Sequence, residues 1–367
     1  MRSEGITTRQ TVYLFVLFLL GNTIVLEVNF DSKQDTWIAV IAGFLLSVAM
    51  LLIYSRTLKL FPGKNFYEIA ELIFGRVGSK IFIIPMVWYS LHLASIVVCN
   101  FQEYIELVEL PSTPRGVIVI PIMIVSIVIA KSKYNVLGRW GTAALVLVVS
   151  IFLISIILSL NKLQPSNLLP VLSRPFDTIL NSGYKILAFP LAETVVFMTM
   201  FDMTKKNVSP HKAYIIGISI GCLLIILIVI RNLMLLGSYV MEHEYYPSYT
   251  ALRIISISNF LSRIEGFIST NFILAGVTKI AICMISSAKG LAKIVNIKSY
   301  TGLIVPVGFF VLFLSFTSFN KATQMFVFLE KYYCIYAIPF QLLIPVIVWI
   351  AAEFKTRGVA ITGDRQP

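Results

Sequence analysis

The chain has 367 residues, of which 57% are hydrophobic and only 13% are charged, and its formal net charge is +12. A soluble globular domain has about a quarter of its residues charged. The composition therefore excludes a soluble domain and predicts a protein that crosses a membrane several times. The lysine and arginine residues lie in short hydrophilic gaps between apolar runs, which indicates membrane topology and argues against nucleic-acid binding.

The apolar runs divide the chain into about ten membrane-spanning helices, because a bilayer core is crossed by about 20 apolar helical residues. The predicted fold class is all-α and polytopic, with one transmembrane domain over residues 1–367. The first run is interrupted and the fourth is short. The predicted spans, numbered from the first to the tenth, are 10–29, 36–58, 79–107, 115–130, 139–160, 180–202, 212–236, 264–287, 300–318 and 332–353.

Basic residues are distributed unevenly between alternate gaps. If the amino terminus is cytoplasmic, the cytoplasmic gaps and the adjoining helix ends hold 19 of the 30 lysine and arginine residues, and the outer ones hold nine. Positive residues are retained on the inside, so both termini are predicted to be cytoplasmic. The gap at 64–80 alternates apolar and charged residues at helical spacing, which predicts a short helix at the cytoplasmic surface. The gap at 248–263 predicts an amphipathic helix at the outer surface.

Two spans contain residues that do not suit a helix in lipid. Gly21-Asn22-Thr23 interrupts the first span, and Phe189-Pro190 interrupts the sixth, where the proline removes a backbone N–H group. Such breaks are tolerated only where they face protein or a water-filled cavity. The two breaks lie five spans apart. This spacing predicts a five-plus-five inverted repeat, over about 8–160 and 176–353, with broken first and sixth helices that meet at the midplane around a small ligand.

The residues around the two breaks are the candidate ligand-binding residues. The alternative interpretation is that Pro190 only kinks a packed helix. Glu193 lies one turn beyond the break, and a charge at the bilayer centre costs at least about 2.5–3.5 kcal/mol, so it needs a partner. That partner is either a ligand amine or a basic side chain in a structural ion pair. The candidates are Gly21, Asn22, Thr23, Phe189, Pro190, Leu191 and Glu193.

Six segments, in order along nearly the whole chain, resemble the B subunit of the GerA-type spore germinant receptors. That family is similar to the amino acid–polyamine–organocation transporter superfamily. The resemblance implies the ten-helix inverted-repeat fold, a nutrient-sensing pocket, an A subunit and a lipoprotein C subunit as partners, and the inner membrane of a bacterial spore. The segments are "TTRQTVYLFVLFLLGN", "KQDTWIAVIAGF", "FPGKNFYEIAELIFGRVGSK", "NLLPVLSRP", "LAFPLAETVVF" and "ISNFLSRIEGFI".

Lys279 lies near the middle of the eighth span, too deep for its ammonium group to reach the inner surface easily. In the transporters that the chain resembles, the eighth helix packs beside the first and often helps to hold a sodium ion. The resemblance therefore implies a gating or cation-replacing role for Lys279. The alternative is a plain ion pair with Glu27 or Glu193. Lys185, nearer the outer end of the sixth span, is expected to extend its ammonium group to the surface.

The sequence shows no nucleotide-binding loop, no metal-ligand spacing and no nucleophile–base pair, so we expect neither an enzyme nor a cofactor. The function predicted is a germinant-receptor subunit that binds a small nutrient, an amino acid in the first instance, and signals to its partner subunits. One alternative is a proton-coupled transporter of an amino acid or organic cation. Another is a membrane scaffold with a vestigial pocket.

Overall fold

The computed structural model describes residues 5–26, 31–109, 113–254, 266–319 and 322–361. Within these ranges the chain is helical, and the one β-bridge pairs Ile6 with Thr204. The predicted all-α, polytopic fold class is therefore confirmed. The α-helices are α1 Thr8–Thr23, α2 Thr36–Leu60, α3 Phe66–Gly78, α4 Lys80–Tyr104, α5 Arg115–Lys131, α6 Tyr134–Ser159, α7 Phe176–Ile186, α8 Pro210–His243, α9 Pro247–Arg253, α10 Gly266–Val295, α11 Ile304–Thr317, α12 Ala322–Val327, α13 Tyr333–Ile338 and α14 Ile344–Ile361.

Within the described residues, each predicted span coincides with helical structure. The first five spans are α1, α2, α4, α5 and α6; the sixth begins as α7; the seventh, eighth and ninth are α8, α10 and α11; and the tenth runs from α12 to α14. Among the described residues, six helical segments are long and apolar enough to cross a membrane, and the ninth span is a shorter apolar helix. The six are Lys33–Leu60, Lys80–Val108, Tyr134–Lys162, Pro210–His243, Gly266–Val295 and Thr323–Arg357.

The third and eighth spans, α4 and α10, form the centre of the bundle and are mostly buried, whereas only 33% of the most apolar stretch around α6 is buried. Small residues allow this close packing, as is common between membrane helices. A Cβ atom at Gly276 of α10 would lie 2.4 Å from the ring of Phe101 on α4. A Cβ atom at Gly43 of α2 would lie 2.8 Å from the carbonyl oxygen of Gly183 on α7.

The ends of the bundle are held by contacts between distant parts of the chain. At one end, the backbone N–H of Ile6 donates to the carbonyl of Met203, and that of Lys205 donates to the carbonyl of Ile6. At the other end, the carboxylate of Asp35 accepts from the backbone N–H groups of Leu172 and Arg174. Ile6, just before α1, thus lies at the same end as the gap after the sixth span.

Both predicted surface helices have structural counterparts. Asn65 and Glu68 form a reciprocal capping box that begins α3, in the gap predicted to be cytoplasmic. This helix is more deeply embedded than a purely interfacial helix, since Phe66, Tyr67 and Ile69 are buried. The outer segment begins as α9, and its continuation over 255–265 lies outside the described residues.

Candidate functional site

The predicted break in the first span takes the form of a helix end. Gly21, Asn22 and Thr23 are helical and form the last turn of α1, so the first span is interrupted directly after these three residues and not at them as predicted. A helical glycine costs about 1 kcal/mol relative to alanine, and close packing on α10 offsets this cost. Beyond Thr23 the helix ends in a final turn, in which the N–H groups of Val25 and Leu26 both donate to the carbonyl of Asn22.

The sixth span is broken where predicted. α7 ends at Ile186, and Phe189 has extended backbone angles, φ −137° and ψ 113°. The chain continues beyond Pro190 as a 3₁₀-helix over Ala192–Thr199. Side chains satisfy two of the freed carbonyls: Gln341 Nε2 donates to the carbonyl of Ala188 at 2.8 Å, and Thr194 Oγ1 donates to that of Leu191 at 2.6 Å. The break is thus enclosed by protein.

A buried ion pair lies directly beyond the break. Lys279 Nζ on α10 is 2.5 Å from Glu193 Oε2, and both side chains are fully buried. Tyr333 of α13 donates its hydroxyl to the other carboxylate oxygen of Glu193, also at 2.5 Å. The ammonium group lies 4.9 Å from the ring centroid of Phe18 and 5.4 Å from that of Phe189. Of the two partners considered for Lys279, Glu193 is the one observed, and Glu27 lies outside the described residues.

A chain of hydrogen bonds joins this ion pair to the break. The hydroxyls of Tyr333 and Tyr89 are 3.1 Å apart, and Gln341 Nε2 donates to the Tyr89 hydroxyl at 2.8 Å. The same amide nitrogen donates to the carbonyl of Ala188, and Tyr54 of α2 donates to the backbone carbonyl of Gln341. The second, third, sixth, eighth and tenth spans therefore share one buried polar network, which we call the Glu193 network.

A cavity of about 50 Å³ lies on the other side of the break, between the ends of α1 and α7, the start of α2 and the middle of α8. One water requires at least roughly 10–15 Å³ by this measure, so the cavity has room for about three to five waters. It is mainly apolar. Its lining residues are Thr23, Leu26, Thr36, Val40, Lys185, Ile186, Phe189, Pro190, Ile225 and Val229.

The predicted site residues divide between these two features. Thr23, Phe189 and Pro190 line the cavity. Glu193 and Lys279 form the ion pair, and Gly21 packs against Lys279. Leu191 is fully buried within the break itself. Asn22 is also fully buried, and neither atom of its amide group has a hydrogen-bond partner among the described residues.

Lys185 is not simply extended to the surface. Its ammonium group is 2.6 Å from the carboxylate of Asp31, and the Lys185 side chain remains only 21% exposed. One turn away along α7, the hydroxyl of Ser182 is bonded to that of Ser32 at 2.7 Å. Asp31 and Ser32, which precede α2, are therefore both bound to α7, at residues on or one turn from the cavity lining.

The sequence interpretation missed Tyr333 and Gln341, both on the tenth span. A glutamine within the apolar run "AIPFQLLIPVIVW" was a usable signal, since a polar side chain in lipid needs a partner. Tyr333 gave no such signal, because aromatic residues are common in these spans. Within the described residues, no group of three or more histidine, cysteine, aspartate or glutamate side chains is placed to hold a metal ion.

Known structures share this fold. Mhp1, a nucleobase-cation-symport-1 family transporter solved in a closed conformation with bromovinylhydantoin bound, superposes with a TM-score of 0.61 at 15% identity, covering 98% of this chain and 94% of that one. A variant of the manganese transporter of Eremococcus coleocola gives 0.59 at 11% identity, covering 98% and 88%. At these identities the likeness establishes the fold alone, a multi-helix transporter fold.

Two relatives from Bacillus subtilis (strain 168) match most of the sequence. Spore germination protein KB is 25% identical over 362 residues, 97% of each chain. The putative spore germination protein YfkT is 24% identical over 325 residues, 89% of each chain. The model of the family described as "Spore germination protein" matches residues 5–324. The resemblance drawn from the six segments is thereby confirmed, and the chain belongs to the spore germination protein family.

Proposed function

We propose that this chain is the membrane subunit of a germinant receptor and binds a small nutrient, an amino acid in the first instance, beside the break in the sixth span. One observation carries the proposal: the last turn of α1 and the Phe189–Pro190 break line the same cavity, through Thr23 and both residues of the break. A ligand there touches both interrupted spans, so it favours whichever relative position of the two spans gives it more contacts.

The Glu193 network supplies a route by which this preference reaches the rest of the molecule. The carbonyl of Ala188, two residues before Pro190, is bonded to Gln341, and the network continues through two tyrosines to Glu193 and Lys279. A movement of the backbone at Phe189–Pro190 therefore changes all the hydrogen bonds of the Glu193 network together. In this mechanism ligand binding shifts the population of the protein between two arrangements of the interrupted spans. The A subunit and the lipoprotein C subunit respond to the new arrangement. The complex lies in the spore inner membrane, with both termini of this chain on the core side.

A proton-coupled transporter is the second candidate. The fold shared with Mhp1 and a fully buried carboxylate at Glu193 favour it, because intramembrane acidic residues serve as proton relays in transporters. Uptake of labelled amino acids by liposomes that contain the purified chain separates the two candidates. A receptor shows saturable binding without net uptake, whereas a transporter concentrates the substrate when a proton gradient is imposed.

Spores that carry single substitutions test the binding site. Pro190→Ala restores a backbone N–H and lets the helix re-form, and Val229→Phe fills the cavity from α8. We expect both variants to lose or shift the nutrient dose response at unchanged protein level. Germination by agents that bypass the receptors should stay normal. Pro121→Ala is the matched control, since Pro121 lies within the continuous helix α5 and faces outwards.

An unchanged dose response in both Pro190→Ala and Val229→Phe spores contradicts the proposal. In that case the break is only a packing kink, and any ligand binds elsewhere.

A further inference from the structure

Lys185 is the one charged residue among the ten that line the cavity beside the break. Its neighbours in the lining are aliphatic side chains, Phe189 and Pro190, with two threonine hydroxyls. A cavity that is mainly apolar and has a few placed polar groups is typical of small-molecule sites, where the polar groups fix the orientation of the ligand. The positions of these polar groups therefore indicate the chemistry of the ligand.

The two lining threonines each use their hydroxyl proton within the protein. Thr23 donates its hydroxyl proton to the carbonyl of Leu19 at 2.7 Å, and Thr36 donates its own to the carbonyl of Lys33 at 2.7 Å. Their oxygen atoms can still accept. Thr23 also lies in the last turn of α1, where unpaired carbonyls give a helix a partial negative charge. This side of the cavity suits an ammonium group.

Lys185 supplies the opposite charge. In this structure its ammonium group is bound to Asp31, whose side chain is 41% exposed. Asp31 reaches Lys185 from the segment between α1 and α2, whereas Lys185 itself belongs to α7 and lines the cavity. A carboxylate inside the cavity and the carboxylate of Asp31 compete for the same ammonium group.

We propose that Lys185 binds the carboxylate of the ligand and that Asp31 competes with the ligand for it. With the hydroxyls of Thr23 and Thr36 as acceptors, the ligand class is an α-amino acid zwitterion with a small aliphatic side chain. This inference rests on the proposed function, because it assigns roles within the same cavity.

The proposal links ligand binding to the outer end of the bundle. The segment that carries Asp31 is also bonded to α7 through Ser32, and Asp35 holds the backbone of the loop at 172–174. When a ligand carboxylate displaces Asp31, the ion pair between Asp31 and Lys185 is lost. Ligand binding thereby loosens the outer contact between the first and second halves of the chain.

Two substitutions separate this competition from a plain structural ion pair, because they act in opposite directions. Lys185→Met removes the group that binds the ligand carboxylate, so it weakens ligand binding. Asp31→Asn removes the competitor and leaves Lys185 in place, so it strengthens ligand binding. A structural ion pair predicts that both substitutions weaken binding. Lys33→Met is the matched control, since Lys33 forms a neighbouring outer ion pair with Glu242 and does not line the cavity.

The experiment uses the full chain purified in lipid nanodiscs and the twenty L-amino acids as probes, with binding measured as an increase in thermal stability. The L-amino acid that binds most tightly is then compared with its carboxamide, which lacks the negative charge. A hydrogen bond to a charged group corresponds to about a 10- to 100-fold change in affinity. We expect the wild type to prefer the acid over the amide by that factor, Lys185→Met to bind both equally, and Asp31→Asn to bind the acid more tightly than the wild type does.

The ratio of acid to amide affinity compares two ligands on the same protein, so a partial loss of stability in Lys185→Met does not obscure it. Stabilisation by none of the twenty L-amino acids overturns the proposal, as does an undiminished preference for the acid in Lys185→Met. If that preference persists while Pro190→Ala and Val229→Phe spores lose their dose response, the proposed function stands and the role of Lys185 fails. If those spores respond normally, the proposed function itself fails.

Discussion

Gly21 of α1 packs directly against Lys279 of α10: a Cβ atom at position 21 would lie 2.8 Å from Cδ and 2.9 Å from Cβ of the lysine. The glycine therefore allows the first and eighth spans to approach with a charged side chain between them. The same lysine is bound to Glu193 of the sixth span. Three of the spans that the inverted-repeat fold places around its centre are thus joined through one lysine side chain.

Gly21→Ala should destabilise the protein, because the added methyl group overlaps the Lys279 side chain near its backbone. Overpacking costs about 1–3 kcal/mol, and the higher helix propensity of alanine offsets only about 1 kcal/mol of it. The measurement is the free energy of unfolding in detergent micelles. Gly302→Ala is the control, since no heavy atom lies within 4 Å of its added Cβ atom. Equal stability of the two variants would show that α1 and α10 are not in this close contact.

The Lys279–Glu193 pair should behave as a coupled unit in a double-mutant cycle. Removing one partner of a buried ion pair leaves the other charge uncompensated and costs about 3–5 kcal/mol. Lys279→Met and Glu193→Gln should each destabilise the protein by about that amount, and the double variant by clearly less than the sum. Tyr333→Phe, which removes one hydrogen bond to the same carboxylate, should cost about 1–3 kcal/mol. Additive effects of the two charge substitutions would contradict the pairing.

Sodium should not affect the nutrient response of the wild type if the ammonium group of Lys279 takes the place of a bound cation. The test is the germination dose response in buffers that contain sodium or an organic cation at equal ionic strength. Lys279→Met should remain inserted in the membrane, because the span keeps its apolar character, and its dose response should change. A sodium-dependent wild type, or a variant with a normal dose response, would refute the cation-replacing role.

The topology prediction places Ser166 outside and Lys206 on the cytoplasmic side. Both side chains are exposed, so cysteines placed there are accessible to a membrane-impermeant thiol reagent. We expect labelling of Ser166→Cys in intact cells and labelling of Lys206→Cys only after the cells are opened. Reaction of both from the same side would exclude the ten-span arrangement. The pairing of Ile6 with Thr204 further predicts that a cysteine at the amino terminus reacts like the one at position 206.

The features that depend on local chemistry could be predicted from the sequence alone. Apolar runs located the spans, Pro190 located the break in the sixth span, and the depth of Lys279 required a buried partner. The outcome at Gly21–Thr23 was not predictable from local preferences, because tertiary packing against α10 keeps these residues helical. The link from Gln341 to Ala188 was also out of reach, since it joins residues 153 positions apart.

The complete lining of the cavity could likewise not be predicted from the sequence. Thr23, Phe189 and Pro190 were candidates because each lies at a break, yet part of the remaining wall comes from α2 and α8, which the sequence marks only as apolar spans. Lys185 was expected to reach the surface. Lys185 instead lines the cavity and is bound to Asp31, which belongs to the other half of the chain. No pattern within the sixth span could indicate this contact.

A nutrient that binds in the cavity between the end of α1 and the break in the sixth span should protect a cysteine at position 23 from alkylation. Thr23→Cys is placed in a chain whose four native cysteines are replaced, and alkylation of the purified protein in nanodiscs is followed against the concentration of each L-amino acid. We predict that the amino acid that triggers germination slows alkylation over the same concentration range as the spore response. Alkylation that is unaffected by that amino acid, in a protein that still binds it, would contradict the account.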